Sequence, residues 1–245
     1  MISYLANPRR FDIFARFAIP VAGGLAVVLI AAGLYLSLIG SPPDYQQGDT
    51  IRIMYIHVPS AWLALALYFA MGIASAVFFI WRHNLADVAA ASIAPVGMVF
   101  AGLCLITGSL WGKPTWGTWW IWDARLTSML IQFLLFLGYM ALRGALEDER
   151  LAARLAAILA MAGLLNLPIV KFSVEWWASL HQGATVFREG GPSIDPSQLT
   201  PLLVMAIGFT ALAAWIVMYR MRSVIMDRRT RALRQAREAR GGTTA

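Results

Sequence analysis

Two of the three histidines, His57 in "YIHVPSAW" and His181 in "WWASLHQG", lie on either side of an unusual stretch. That stretch, "WGKPTWGTWWIWDARLT" at residues 111–127, carries five tryptophans: Trp111, Trp116, Trp119, Trp120 and Trp122. Two neutral imidazoles can hold an iron from above and below a porphyrin plane. Indole faces stack on a large flat π-system, and cations such as Lys113, Arg125, Arg188 and Arg52 can meet its propionates. The combination points to haem, with His57 and His181 as axial ligands. Each residue also has a plainer use. His57 would serve as a boundary residue capping nearby backbone, His181 as a solvated loop residue, and the tryptophans as an interfacial aromatic belt. Belt residues scatter at span ends, whereas Trp116, Trp119, Trp120 and Trp122 crowd a segment read as a loop broken by Gly112, Pro114 and Gly117. Asp123 is expected to accept from an indole N–H or to pair with Arg125, fixing that loop.

The elements that must position these groups follow from hydropathy. Of 245 residues, 59% are apolar, and a mean hydropathy of +0.65 is too high for a water-facing surface. Charge-free runs at about 17–39, 58–81, 88–110, 126–142, 155–170 and 199–219 mostly reach the roughly 20 residues that cross a bilayer core. The chain is therefore read as an all-α integral membrane protein with six transmembrane helices in a single domain spanning 1–245. The first run follows Arg9, Arg10 and Arg16 as a signal peptide would, but it exceeds the usual h-region and is read as an uncleaved span. With the N-terminus inside, fifteen Lys/Arg fall in inner segments and five in outer ones. That asymmetry places both termini in the cytoplasm, including the basic tail 220–245.

The outer connections, 40–57, 111–125 and 171–198, are longer than the inner turns "RHNLAD" and "RGALEDERLAAR" and should meet above one set of helices. "SVEWWASLHQ", in the third, is expected to form one short helix on the membrane. His83, between Arg82 and Asn84, is assigned to a tight turn. Cys104 is the only cysteine, so the chain holds no disulfide, CxxCH haem attachment or thiolate zinc site of its own. No Asp, Glu, Lys, Arg or His occurs inside the runs, which argues against a proton pump or ion-coupled carrier. It argues equally against a cytochrome b-type subunit with histidine pairs buried in its spans. "GKP" at 112–114 is no nucleotide-binding loop, so any ATP hydrolysis must come from another subunit. The net charge of +7 gathers at span ends and the tail, which describes topology and contact with lipid rather than nucleic acid.

"WGKPTWGTWWIWDARLT" resembles the WWD signature of membrane haem-handling proteins. Over its full length the chain is similar to the haem exporter protein C (CcmC) family of cytochrome c maturation. The resemblance implies haem b held in a periplasmic WWD region of a bacterial inner-membrane protein, with His57 and His181 as the ligands. Around them, Trp111, Trp116, Trp119, Trp120, Trp122, Asp123 and Arg125 would form the haem-binding surroundings. It further implies presentation of haem to the chaperone CcmE, and assembly with CcmA, CcmB and CcmD in an ABC-type complex that releases loaded CcmE. A permease moving haem or another small molecule across the bilayer is the alternative.

Overall fold

The computed structural model describes residues 7–183 and 185–241. It is all-helical: α1 (Pro8–Tyr35), α2 (Met54–Trp81), α3 (Asn84–Trp116), α4 (Ala124–Ala145), α5 (Glu149–Ala162), α6 (Asn166–Trp176) and α7 (Pro196–Gly241). A 3-10 turn, Gly163–Leu165, joins α5 to α6, so these elements compose six helices long and apolar enough to cross a membrane. This is a multi-pass membrane protein.

Side chains written into the sequence set most helix starts. Asn7 Oδ1 accepts from the Arg9 N–H at 2.9 Å, and Pro8 enters the first turn of α1, where its missing N–H costs nothing. His83 caps α3 by accepting from the Ala86 N–H at 3.3 Å, while Asp123 and Asp148 cap α4 and α5. A 3-10 turn at Asp49–Ile53 feeds α2, so His57 lies in its first helical turns and Pro59 falls inside the helix.

Two local expectations change. Helix α3 does not stop at the end of its apolar run but continues through Gly112 and Pro114 to Trp116. Pro114 has no N–H to give the Leu110 carbonyl, so one helical bond is missing in this last turn, where Thr115 Oγ1 donates to the Trp111 carbonyl at 2.8 Å. The chain leaves the helix only at Gly117, whose φ of 77° is left-handed and whose N–H bonds the Lys113 carbonyl at 3.0 Å. In the third connection, helix α6 ends at Trp176 and Trp177 is extended, so "SVEWWASLHQ" is not one helix. Beyond it the Ser179 hydroxyl accepts the His181 N–H at 3.1 Å, a local bond of the kind that competes with helix.

Helix α1 packs chiefly on α7, and α2 on α3, with α4, α5 and α6 closing the bundle beside α2 and α3. Lipid is as apolar as a leucine side chain, so close approach and internal hydrogen bonds hold such helices together. At Gly33 a Cβ would lie 2.5 Å from Met205 Sδ, which shows how tightly α1 meets α7. Asn166 Nδ2 donates to the Ser128 carbonyl at 2.9 Å and to Gln132 Oε1 at 3.1 Å, tying α6 to α4.

One end of the bundle is rich in arginine. There Asp87, at the start of α3 and 5% exposed, accepts from Arg143 of α4 and, at 3.0 Å, from Arg228 of α7. Asp12 accepts from Arg222 at 2.8 Å, so α7 is pinned to α1 as well. The three long connections close over the opposite end.

Candidate functional site

At that opposite end, His57 points from α2 to α3. Its Nδ1 stands 3.0 Å from the Cys104 carbonyl and 3.1 Å from Thr107 Oγ1. The Thr107 hydroxyl itself donates to the Leu103 carbonyl at 2.6 Å. A carbonyl only accepts, so Nδ1 carries the proton and Nε2 keeps its lone pair. Gly108 makes room for the ring: a Cβ there would sit 3.0 Å from His57 Cε1. The indole of Trp111, one turn along α3, meets the imidazole edge-on with centroids 5.7 Å apart. Trp111 is held in turn by its Nε1, which donates to Gln47 Oε1 at 2.7 Å and thereby ties the first connection to the end of α3.

His181 is arranged in the same way from different parts. Its Nδ1 lies 3.2 Å from Asp123 Oδ2, a carboxylate acceptor, so Nδ1 donates and Nε2 is again free. Ser179 Oγ donates to the same carboxylate oxygen at 2.5 Å. The other oxygen, Oδ1, accepts the Leu126 N–H at 2.7 Å and caps α4. Asp123 thus joins the start of α4 to the third connection, taking its bonds from Ser179 and His181 rather than from an indole. Burial works against its charge, yet the Leu126 N–H, Ser179 and His181 hold its carboxyl below the usual range. Burial also lowers the His181 pKa; Asp123 opposes this and Arg125 adds to it, so the imidazole favours its neutral form.

The tryptophans do not form one sheet of indoles. Trp116 meets the His181 ring edge-on at 4.7 Å, as Trp111 meets His57. Trp120 and Trp122 pack edge-to-face at 5.5 Å, and the Trp120 Nε1–H is buried without an acceptor among the described residues. Trp119 and Trp122 are exposed at 55% and 76%. Arg125 donates to Ser173 Oγ at 3.2 Å and to the Lys171 carbonyl at 3.4 Å, bracing α4 against α6. Of the other cations, Lys113 donates to the Gly117 carbonyl at 3.0 Å, Arg52 pairs with Asp49 at 3.0 Å, and Arg188 is exposed.

Chemically, the site offers two neutral imidazoles with open Nε2 atoms, each orientated by a bond on its other nitrogen and flanked by an indole. Among the described residues no group of three or more His, Cys, Asp or Glu gathers to hold a bare ion. A metal taken here must bring its remaining ligands with it, and a porphyrin iron does so.

The sequence pattern of the family described as "Heme exporter protein C" (CcmC) matches residues 1–236. This chain belongs to the haem exporter protein C family. It is 53% identical over 236 residues to heme exporter protein C of Bradyrhizobium diazoefficiens, covering 96% of this chain and 89% of the relative. The Escherichia coli K12 protein of that name is 44% identical over 222 residues, 91% of this chain and 89% of its own. The Rhodobacter capsulatus protein is 37% identical over 231 residues, 94% and 96% respectively.

For this member of the haem exporter protein C family, sequence reasoning missed Thr107, Gly108, Ser179 and Gln47. A signal for three of them was present. Cys104, Thr107, Gly108 and Trp111 fall at helical spacing on one face of α3, leading from the apolar run to the first tryptophan. Ser179 two residues before His181 is the spacing of a side-chain turn. Gln47, 64 residues from Trp111, had none.

Proposed function

We propose that this protein binds haem b between His57 and His181 at the periplasmic face of a bacterial inner membrane and presents it to the haem chaperone CcmE. The observation that carries this reading is the matched pair of imidazoles: each commits Nδ1 to an acceptor, Cys104 O for one and Asp123 for the other, and so exposes Nε2. A metal-bound histidine is held in this way, by a hydrogen bond on its second nitrogen. When bound, the haem would supply an iron for the His57 and His181 nitrogens to hold and a vinyl edge for covalent attachment elsewhere. The protein's own part is to fix both rings, to keep Asp123 charged behind His181, and to surround the site with indole. The buried Trp120 N–H and the uncommitted side of the Arg125 guanidinium are donors suited to propionate oxygens. The positive-inside distribution supports placing this end outside the cytoplasm. CcmA, CcmB and CcmD are the proposed assembly partners, with ATP hydrolysis supplied by one of them because this chain has no nucleotide-binding loop.

The test is to purify the chain from cells with and without CcmE and record haem content and spectrum. Haem with paired-imidazole bands is expected to accumulate when the acceptor is missing and to fall when it is restored. Equal haem content in both preparations would overturn the reading. Gly108→Val gives an independent check. Its methyls crowd His57 off the Cys104 carbonyl, an overpacking that costs about 1–3 kcal/mol. Haem retention should fall roughly tenfold or more as a result. Gly108→Ala, whose Cβ meets the ring at 3.0 Å, should show a smaller loss in the same assay.

A further inference from the structure

The arginine-rich end holds a cleft of about 720 Å³ between α1, the start of α3 and α7. Arg9, Arg228 and Arg229 stand around it, and Ile13, Val88 and Ile225 lie among its apolar lining. Its charges are unbalanced. The one carboxylate in the lining, Asp12, is already bonded to Arg16 at 3.0 Å and Arg222 at 2.8 Å, and Arg228 is committed to Asp87. Arg9 and Arg229 have no carboxylate partner among the described residues. The apolar lining runs directly into the open face of α1, where Ile13, Phe14 and Phe17 are 61%, 54% and 73% exposed. Unpaired guanidinium groups therefore sit one helical turn from side chains that face hydrocarbon.

We propose that this cleft is a binding site for one anionic phospholipid, its phosphate between Arg9 and Arg229 and an acyl chain along Ile13, Val88 and Ile225. Only a molecule with a charged head and an apolar tail satisfies both halves of the cleft. A soluble anion leaves the floor bare, and an apolar helix leaves the guanidinium groups unmatched. Basic pockets between helices at a membrane boundary recognise lipid headgroups by this chemistry. The site is separate from the histidines, at the other end of the bundle, and ties α1, α3 and α7 together through a bound lipid.

Native mass spectrometry of the purified full chain tests it, with equimolar dioleoyl phosphatidylglycerol and dioleoyl phosphatidylcholine as probes. Phosphatidylglycerol should be retained in preference, as a single adduct. Arg9→Gln with Arg229→Gln should weaken that retention about 30-fold, near fivefold for each arginine at a membrane surface. Arg234→Gln with Arg237→Gln, farther along α7 and outside the cleft lining, should leave it unchanged. Ile13→Trp fills the floor without touching a charge and should also displace the lipid, so the result does not depend on the arginine variant folding. Equal retention of the two lipids overturns the proposal, as does equal loss from both arginine pairs. So does displacement by glycerol phosphate as effective as by the intact lipid, which would mark a free-anion site. Photocross-linking from position 13 to a polypeptide in native membranes would assign the cleft to a protein and overturn it too.

Discussion

Purified His57→Ala and His181→Ala proteins are each expected to lose the paired-imidazole bands of the haem-loaded protein, with haem retention falling by more than about 100-fold. In the proposed arrangement each imidazole would supply one of only two bonds from the protein to the iron. Losing a ligand must therefore exceed the roughly 10–100-fold cost of losing the group behind it. Asp123 separates the ligand from its support. Asparagine serves as well as aspartate at a helix N-cap, so Asp123→Asn should keep the bond to the Leu126 N–H and leave the start of α4 intact. Its second atom is then an amide NH₂ facing the Nδ1–H of His181 and the Ser179 hydroxyl, a donor set against a donor. Moving the imidazole proton to Nε2 relieves this, and would remove the lone pair that the proposed iron bond needs. Asp123→Asn should therefore lower haem retention about 10–100-fold with little change in thermal midpoint. Asp123→Ala should lose the haem and about 1 kcal/mol of cap as well. Haem titration beside a melting curve distinguishes these outcomes. Wild-type retention by Asp123→Asn would mean that the carboxylate does not set the His181 tautomer.

The largest loss of stability is expected at the other end of the molecule. Asp87→Ala leaves Arg143 and Arg228, from α4 and α7, facing each other without the carboxylate that both now share. Removing one partner of a buried ion pair costs about 3–5 kcal/mol, because the remaining charge cannot recover its water. Arg143 is 20% and Arg228 37% exposed at the side chain, which places the effect toward the lower end of that range. Glu149→Ala is the matched control. Its pair with Arg231 is 73% and 61% exposed at 3.3 Å, and such surface pairs contribute at most about 1 kcal/mol. Denaturant unfolding of both variants in the same detergent should separate them clearly. If Asp87→Ala unfolds no earlier than Glu149→Ala, the three-helix junction at Asp87 does not hold this end together.

Several elements are legible in the sequence alone. The six spans are read from hydropathy because lipid sorts residues one at a time, and a run long enough to cross is almost a sufficient statement. The caps at Asp123 and Asp148 lie immediately before the helices they start, a short-range signal passed over when Asp123 was read as an acceptor for an indole N–H or a partner of Arg125. The reach of α3 to Trp116 was hidden for the same reason. A helix needs its hydrogen bonds rather than an apolar surface, so the polar stretch after Leu110 ended the run without ending the helix.

By itself, then, the sequence determined an all-helical membrane protein of six spans, with two histidines and a crowd of tryptophans outside the apolar runs. Tertiary structure alone decided what those groups can do. The acceptor for His57 is a backbone carbonyl 47 residues away, and that for His181 a carboxylate 58 residues away. Each of these bonds fixes which ring nitrogen is free. Folding also divided the tryptophans, setting Trp111 beside one histidine and Trp116 beside the other, while Trp119 and Trp122 stayed exposed. The reason is physical: partition into lipid is a property of each residue, whereas a tautomer is a property of a pair, and the pairs form only when distant helices close on one another.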